Sequence, residues 1–140
     1  MAEVEEERDL YRASHRFARI SPRKARLLMD LVRGRDVDDA LTLLRFAKQR
    51  ASGMIEKVIR SAVANANESE VAPRGTLYVA KAWVDPGPVI KRFQPKDRGK
   101  AYPINKRTSH LVVTIEQRED GEKAAAPFKS VGARHGKARQ

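Results

Sequence analysis

The residues with the clearest chemical potential in this sequence are cations grouped between Val89 and Arg107. Lysine and arginine side chains pair with phosphate, and each pairing releases counterions from a nucleic acid. Two aromatic residues, Phe93 and Tyr102, are interleaved with these cations and offer flat faces on which bases can stack. Within this segment only Asp97 carries the opposite charge. The cations are Lys91, Arg92, Lys96, Arg98, Lys100, Lys106 and Arg107.

A second basic group follows a strong helix start at Ser21 and Pro22. Arg23, Lys24 and Arg26 occupy the opening turns of that helix. A helix N-terminus already carries partial positive charge, so cations placed there are unfavourable within the protein alone. Backbone amides and cationic side chains together make an anion site, so we expect this group to bind phosphate. The alternative is that the long side chains only extend into water.

The composition indicates one domain with a polyanionic partner. The 140 residues carry a formal net charge of +11, the pI is about 10.3, and 41% of the residues are apolar. This length suits one modest core. Such a charge excess repels itself in a compact chain unless an external anion neutralises it. Nucleic acid is the first candidate for that partner, and an anionic membrane surface is the second.

Several classes of function are disfavoured by what the sequence lacks. It has no cysteine, which excludes disulfides, thiolate zinc sites and cysteine nucleophiles. The three histidines lack the spacing of metal ligands, so we expect no metal, no cofactor and no enzyme activity. The acidic start lacks the features of a signal peptide, and no apolar run approaches ~20 residues, so we expect a cytoplasmic protein with no membrane partner. The histidines are His15, His110 and His135.

Hydrophobic periodicity predicts the elements that position these groups. A short strand is predicted over Ser14–Ile20, and helical spacing of apolar residues then runs from Pro22 to about Gly34 and again from Asp36. The clearest helix spans about residues 48–68, where an apolar stripe faces a charged side. The expected fold is α+β, with three helices packed on a small antiparallel sheet from which a long β-hairpin protrudes.

From Thr76 onward the apolar period changes to two, which predicts paired strands. Residues 86–107 or thereabouts form the outer half of the hairpin, and Gly99 allows a turn or a close backbone approach there. We call this segment the arm. An isolated hairpin is marginal in water and like charges weaken it further. On the inner part of the first strand, Tyr78, Ala80, Ala82 and Val84 are expected on one face and Leu77, Val79, Lys81 and Trp83 on the other.

The sequence also predicts how the chain is divided. We expect a flexible acidic N-terminus over residues 1–13 and a single RNA-binding domain, including the arm, over residues 14–117. A basic tail over residues 118–140 is rich in alanine, glycine, lysine and arginine, and is expected to be disordered until something binds it.

Three runs of residues resemble a known family. They read ARISPRKARLLMDLVRGRDVDDAL, IEKVIRSAVANA and KRFQPKDRGKAYPINKRTSHLVVTI. Together they resemble the bacterial form of the universal large-subunit family of ribosomal protein twenty-two, over about residues 16–116. The arm motif is specific, because a basic pair precedes Arg98, Gly99 and Lys100, and His110 then opens an alternating apolar strand. Asp97 departs from the family, which usually has a small residue at that position.

The resemblance implies a structural constituent of the large ribosomal subunit that supports its assembly and lies in the cytoplasm, in the ribosome. The implied partners are large-subunit (23S-type) ribosomal RNA, neighbouring large-subunit ribosomal proteins and the nascent peptide at the wall of the exit tunnel, with no obligate homo-oligomer. The expected tunnel-facing tip comprises Arg92, Phe93, Gln94, Pro95, Lys96, Asp97, Arg98, Gly99 and Lys100. The expected rRNA-binding residues are Arg19, Arg23, Lys24, Arg26, Lys91, Arg92, Lys96, Arg98, Gly99, Lys100, Lys106, Arg107, Ser109 and His110.

Without the resemblance, two other readings stay open. A DNA-bending architectural protein also uses a basic β-arm with an apolar or proline wedge, and Pro95 near the tip fits that role. Such arms usually come with an obligate dimer, whereas this chain has its own helical core and a single arm. An RNA-processing enzyme would need carboxylates or a metal site, for which the sequence offers no pattern.

Overall fold

The computed structural model describes residues 10–69 and 76–118. The predicted N-terminus up to residue 9 and the predicted tail from residue 119 lie outside these residues. The chain forms β1 (Leu10–Ala18), α1 (Pro22–Val32), α2 (Val37–Phe46), α3 (Ala51–Glu68), β2 (Leu77–Asp97) and β3 (Lys100–Gln117). The strands make one antiparallel sheet in the order β1-β3-β2. This architecture confirms the predicted α+β class and the long hairpin.

The helices form where the apolar spacing predicted them, and each buries its apolar stripe. Pro22 occupies the first helical position of α1, where its missing N–H costs nothing. Asp38 and Asp39 lie in the first turn of α2 and complement its dipole. The core consists of helix residues packed against the inner side chains of the sheet. Its fully buried large side chains include Leu28, Met29, Leu44, Ile55, Ile59, Leu111 and Ile115.

A β-bulge in β2 makes the predicted strand faces wrong. The register shifts between Val79 and Lys81, so that Ala80 has no partner of its own on β3. One inserted residue exchanges the two faces for every residue beyond it, which a strict period of two does not anticipate. The buried side therefore consists of odd-numbered residues before the bulge and even-numbered residues after it. The buried residues are Leu77, Val79, Ala82 and Val84.

A second bulge lies in β1, which also begins earlier than predicted. The strand starts at Leu10 and ends at Ala18, whereas the sequence predicted residues 14–20. Its register shifts between His15 and Ala18, so Arg16 and Phe17 together oppose one residue of β3, His110. Because of this bulge, Arg16 is exposed although Ala18 is buried, whereas the strict alternation of a regular strand would place both on one face.

Next to the core, each outer strand has part of its edge occupied by hydrogen bonds, which limits pairing with other chains there. The turn after α1 bonds to β2, with the Gly34 N–H donating to the Val79 carbonyl (2.8 Å) and the Val79 N–H donating to the Arg35 carbonyl (2.9 Å). On the other edge, the Asn65 side chain of α3 donates to the Arg12 carbonyl of β1 (3.1 Å).

The arm is a continuation of β2 and β3 beyond the core. All side chains from Lys91 to Arg107 are exposed, yet the two strands stay paired as far as Asp97 and Lys100. At ~3.3 Å per residue, the part beyond Val89 extends about 30 Å. Gly99 has a φ of +85°, which glycine adopts without steric cost, and it closes the hairpin as predicted.

Within residues 10–69 and 76–118, none of the helices has the length and apolarity that crossing a membrane requires.

Candidate nucleic-acid interface

One cation from each of the two basic groups predicted from sequence, Lys24 and Arg107, lines a common cavity of about 430 Å³. It lies between the β1–α1 connection, the start of α3 and the return strand β3 of the arm. Its cations come from all three places, and none of the described carboxylates lines it. We call it the basic cavity, and it is lined by Arg19, Ile20, Ser21, Lys24, Arg50, Asn105 and Arg107.

The cations of the basic cavity are not neutralised within the described part of the protein. The ion pairs among residues 10–69 and 76–118 involve other arginines, chiefly those beside Glu56 and Asp36. The first turn of α1 begins at the same place, where Ser21 makes no side-chain cap. The opening amides of a helix have no intrahelical partner, so amides and side chains here favour the same anionic ligand.

The three predicted cations of α1 occupy different environments. Lys24 lines the basic cavity, and Arg23 is exposed. The guanidinium of Arg26 instead donates to the Val84 carbonyl of β2 (Nη2 to O, 3.1 Å), so it ties α1 to the sheet edge. Arg33, two turns further along at the end of α1, donates to the Ala82 carbonyl (Nε to O, 3.1 Å) in the same manner.

The four predicted residues of the return strand also separate. Arg107 lines the basic cavity, and Lys106 is exposed. Ser109 is fully buried, and its hydroxyl has no hydrogen-bond partner among the described residues. His110 is half-buried, and its Nδ1 accepts a hydrogen bond from the Phe17 N–H (3.0 Å). Direct RNA contacts by Ser109 and His110 remain predictions.

The tip of the arm exposes every side chain that the sequence analysis assigned to it. Phe93 lies opposite Pro103, and Gln94 lies opposite Tyr102. Directly paired residues share a face, and successive residues alternate between faces, so Phe93 and Tyr102 lie on opposite faces of the hairpin. Each face therefore presents one aromatic ring among cations, an arrangement that suits nucleic acid passing on both sides.

Sequence reasoning did not assign Arg50 or Asn105 to the interface, and it did not single out the exposed Phe17. In the sequence, Arg50 belongs to the solvent-exposed side of the third helix, and no pattern around Asn105 predicts binding. Both residues reach α1 only through the tertiary fold. Phe17 is more than half exposed, although its ring is large and apolar. Within the described residues, no group of histidine, aspartate or glutamate side chains is arranged to hold a metal ion.

Comparison with known proteins gives a consistent family. The family model described as ribosomal protein L22p/L17e matches residues 13–116. The large ribosomal subunit protein uL22 of Thermoanaerobacter sp. (strain X514) is 50% identical over 108 residues, which cover 77% of this chain and 97% of that protein. The proteins of the same name from Carboxydothermus hydrogenoformans (47% identical, covering 79% and 97%) and Lactobacillus helveticus (49% identical, covering 78% and 93%) agree.

The matched residues include α1, the basic cavity and the whole arm. The match confirms the resemblance identified from the sequence and the prediction of a protein that is not an enzyme. On these matches, the chain belongs to the ribosomal protein L22p/L17e family.

Proposed function

We propose that this protein is a structural constituent of the large ribosomal subunit, in the cytoplasm, and that it binds large-subunit (23S-type) ribosomal RNA through the basic cavity and the arm. The observation that carries this proposal is the basic cavity itself. Arg19, Lys24, Arg50 and Arg107 converge on it from three parts of the chain without a carboxylate among them. Such a group repels itself until a polyanion neutralises it.

The arm supports the same proposal by a separate argument. Its exposed length has no packing partner within the described residues, and it concentrates like charges on two strands. RNA on both faces would neutralise the cations and cover Phe93 and Tyr102, which are otherwise exposed. We propose that the tip, from Arg92 to Lys100, reaches the wall of the nascent-peptide exit tunnel, as the family resemblance implies, and there meets the nascent peptide.

Assembly follows from the same geometry. A protein that grips RNA at a core cavity and again along an arm of about 30 Å joins RNA segments that are far apart. Joining distant segments restricts the conformations of the unassembled RNA, and this reduces the conformational entropy that the RNA loses in later folding steps. We therefore propose that binding supports assembly of the large subunit, together with neighbouring ribosomal proteins.

The salt dependence of binding tests the basic cavity. The double variant Lys24→Gln, Arg107→Gln removes two of its cations. Binding of in vitro transcribed large-subunit rRNA should then depend less steeply on salt between about 50 and 200 mM. The slope of log affinity against log salt should fall by about 1.4 to 1.8, since each lost phosphate contact removes roughly 0.7 to 0.9.

The matched control is the double variant Arg45→Gln, Arg60→Gln, which removes the same charge from two arginines beside Glu56 (3.6 and 2.6 Å). Its slope should stay close to that of the unaltered protein. Equal slopes for the two double variants would show that bulk charge, and not the cavity, determines binding. If the unaltered protein bound duplex DNA as tightly as it binds the rRNA, the function of a DNA-bending architectural protein would be favoured instead.

A further inference from the structure

Phe17 adopts a backbone conformation that phenylalanine normally avoids. Its φ is +57°, and it is the one non-glycine residue with positive φ in the described part of the chain. In this left-handed region a Cβ crowds the backbone, so glycine, asparagine and aspartate are the usual occupants. Phe17 sits in the β1 bulge, where it and Arg16 together oppose His110. A bulge of this kind re-aims a side chain relative to the sheet.

The strained conformation is held by His110. The Phe17 N–H donates to His110 Nδ1 (3.0 Å), and the two rings meet edge to face with centroids 5.0 Å apart. The bond requires a lone pair on Nδ1, so the proton of the neutral imidazole lies on Nε2. The guanidinium of Arg16 also lies over the Phe17 ring, 5.3 Å from its centre. The ring therefore contacts both a cation and an imidazole.

Burial in the core does not account for this arrangement. The Phe17 side chain is 54% exposed, so it contributes little to the core. Glycine or asparagine would satisfy the bulge with less strain, and any residue but proline would supply the same N–H. Strain of this kind persists at binding sites, where it fixes a group in the geometry its ligand needs.

The place of the ring indicates the ligand. Arg19 lines the basic cavity and is only two residues from Phe17, so their Cα atoms are at most about 7 Å apart. A strand of RNA with a phosphate bound in the cavity would bring its neighbouring nucleotides close to the bulge. A flat ring that is flanked by a guanidinium and exposed on the surface is suited to stacking on a base.

We propose that Phe17, with Arg16 and His110 beside it, is a stacking platform for an unpaired nucleobase of the large-subunit rRNA. This inference rests on the proposed function, since it requires that the protein bind that RNA. The base is unpaired because a base within a duplex has both faces covered by its neighbours. The basic cavity contributes electrostatic attraction that does not depend on RNA sequence, and the platform recognises a base that is turned out of its stack.

The variant Phe17→Asn separates recognition from folding. Asparagine tolerates positive φ, so the thermal unfolding temperature of the variant should equal or exceed that of the unaltered protein. Affinity for in vitro transcribed large-subunit rRNA should fall by between about 5-fold and 150-fold, the usual range for one lost base stack. The slope of affinity against salt should not change, because no phosphate contact is removed. Phe17→Tyr keeps the ring and should bind as the unaltered protein does.

Two results would overturn the platform. The first is unchanged rRNA affinity in Phe17→Asn, and the second is a loss of affinity that Phe17→Tyr shares. If the unchanged affinity were accompanied by loss of a neighbouring ribosomal protein from reconstituted subunits, the ring would be a protein contact instead. Failure of the unaltered protein to bind rRNA would instead refute the proposed function. Binding with the expected salt slope but without an effect of Phe17→Asn refutes the platform alone.

Discussion

The root of the arm should be intolerant of any side chain at Gly87. The register between β2 and β3 shifts between Pro86 and Val89, so Gly87 lies where the core sheet passes into the arm. A Cβ built on Gly87 would lie 2.5 Å from Thr108 Oγ1 and 3.2 Å from the Thr108 carbonyl carbon. Neither atom can withdraw freely, because Thr108 is buried and its hydroxyl donates to the Pro88 carbonyl (2.6 Å).

The expected cost of Gly87→Ala combines two effects. Displacing the Thr108 hydroxyl gives up a hydrogen bond with a net value of about 1 kcal/mol. Forcing a methyl group into a closely packed site costs about 1 to 3 kcal/mol more. We therefore expect the free energy of unfolding to fall by about 2 to 4 kcal/mol. In contrast, Gly53 lies within α3 with open space at its Cβ position, so Gly53→Ala should raise stability by about 0.5 to 1 kcal/mol.

Urea unfolding followed by circular dichroism measures both variants under the same conditions. The same chemical change should shift the midpoint down at Gly87 and up at Gly53. Thr108→Ala provides the decisive background, because it removes the obstructing hydroxyl. There, Gly87→Ala should cost clearly less than in the unaltered protein, which is the coupling expected of residues in contact. An equal cost in both backgrounds would refute the steric explanation.

The other predictions concern the division of labour between α1 and the arm. Arg26→Met keeps the aliphatic stem but removes the bond to the Val84 carbonyl, so it should lower stability by about 1 kcal/mol and leave the salt slope of rRNA binding nearly unchanged. Lys24→Gln should leave stability nearly unchanged and make the salt dependence of rRNA binding shallower. A clearly shallower salt dependence in Arg26→Met would show that Arg26 also binds phosphate. Deleting Arg92–Lys100 and closing the arm with a short turn should leave the thermal unfolding temperature within a few degrees, because these side chains are exposed. Global unfolding of that deletion would show that the arm belongs to the core.

The sequence was most informative where a single period governs a whole element. The apolar stripe of α3 repeats at helical spacing without interruption, and the structure buries Ile55, Ile59 and Ala62 as that spacing predicts. The strands were less predictable, because one extra residue at Ala80 exchanges the two faces and leaves no mark in composition. The early start of β1 at Leu10 is similar, since its pairing with Glu116 depends on a partner that is more than one hundred residues away in the chain.

The interface too was predictable from local sequence only in part, because its arrangement depends on tertiary packing. Cations at Lys24 and Arg107 were identified separately from local charge and from the arm motif, yet their common cavity depends on how α1 packs against β3. Arg50 completes that cavity from the start of α3, and in the sequence it reads only as a solvated charge. The strain at Phe17 is invisible in the sequence as well, because it arises from a bulge whose register is set by His110 across the sheet.

The continuity of β2 and β3 links the basic cavity to the tip of the arm. The arm has no packing support of its own within the described residues, so its direction is set by the sheet from which it extends and by the bulge at Gly87. RNA that is held at the cavity is then presented to the arm at a high effective concentration, and the second contact forms without a second bimolecular encounter. Neutralising cavity cations should therefore weaken contacts at the tip that those cations never touch. Conversely, redirecting the root at Gly87 should weaken RNA binding even though the basic cavity keeps all of its charges.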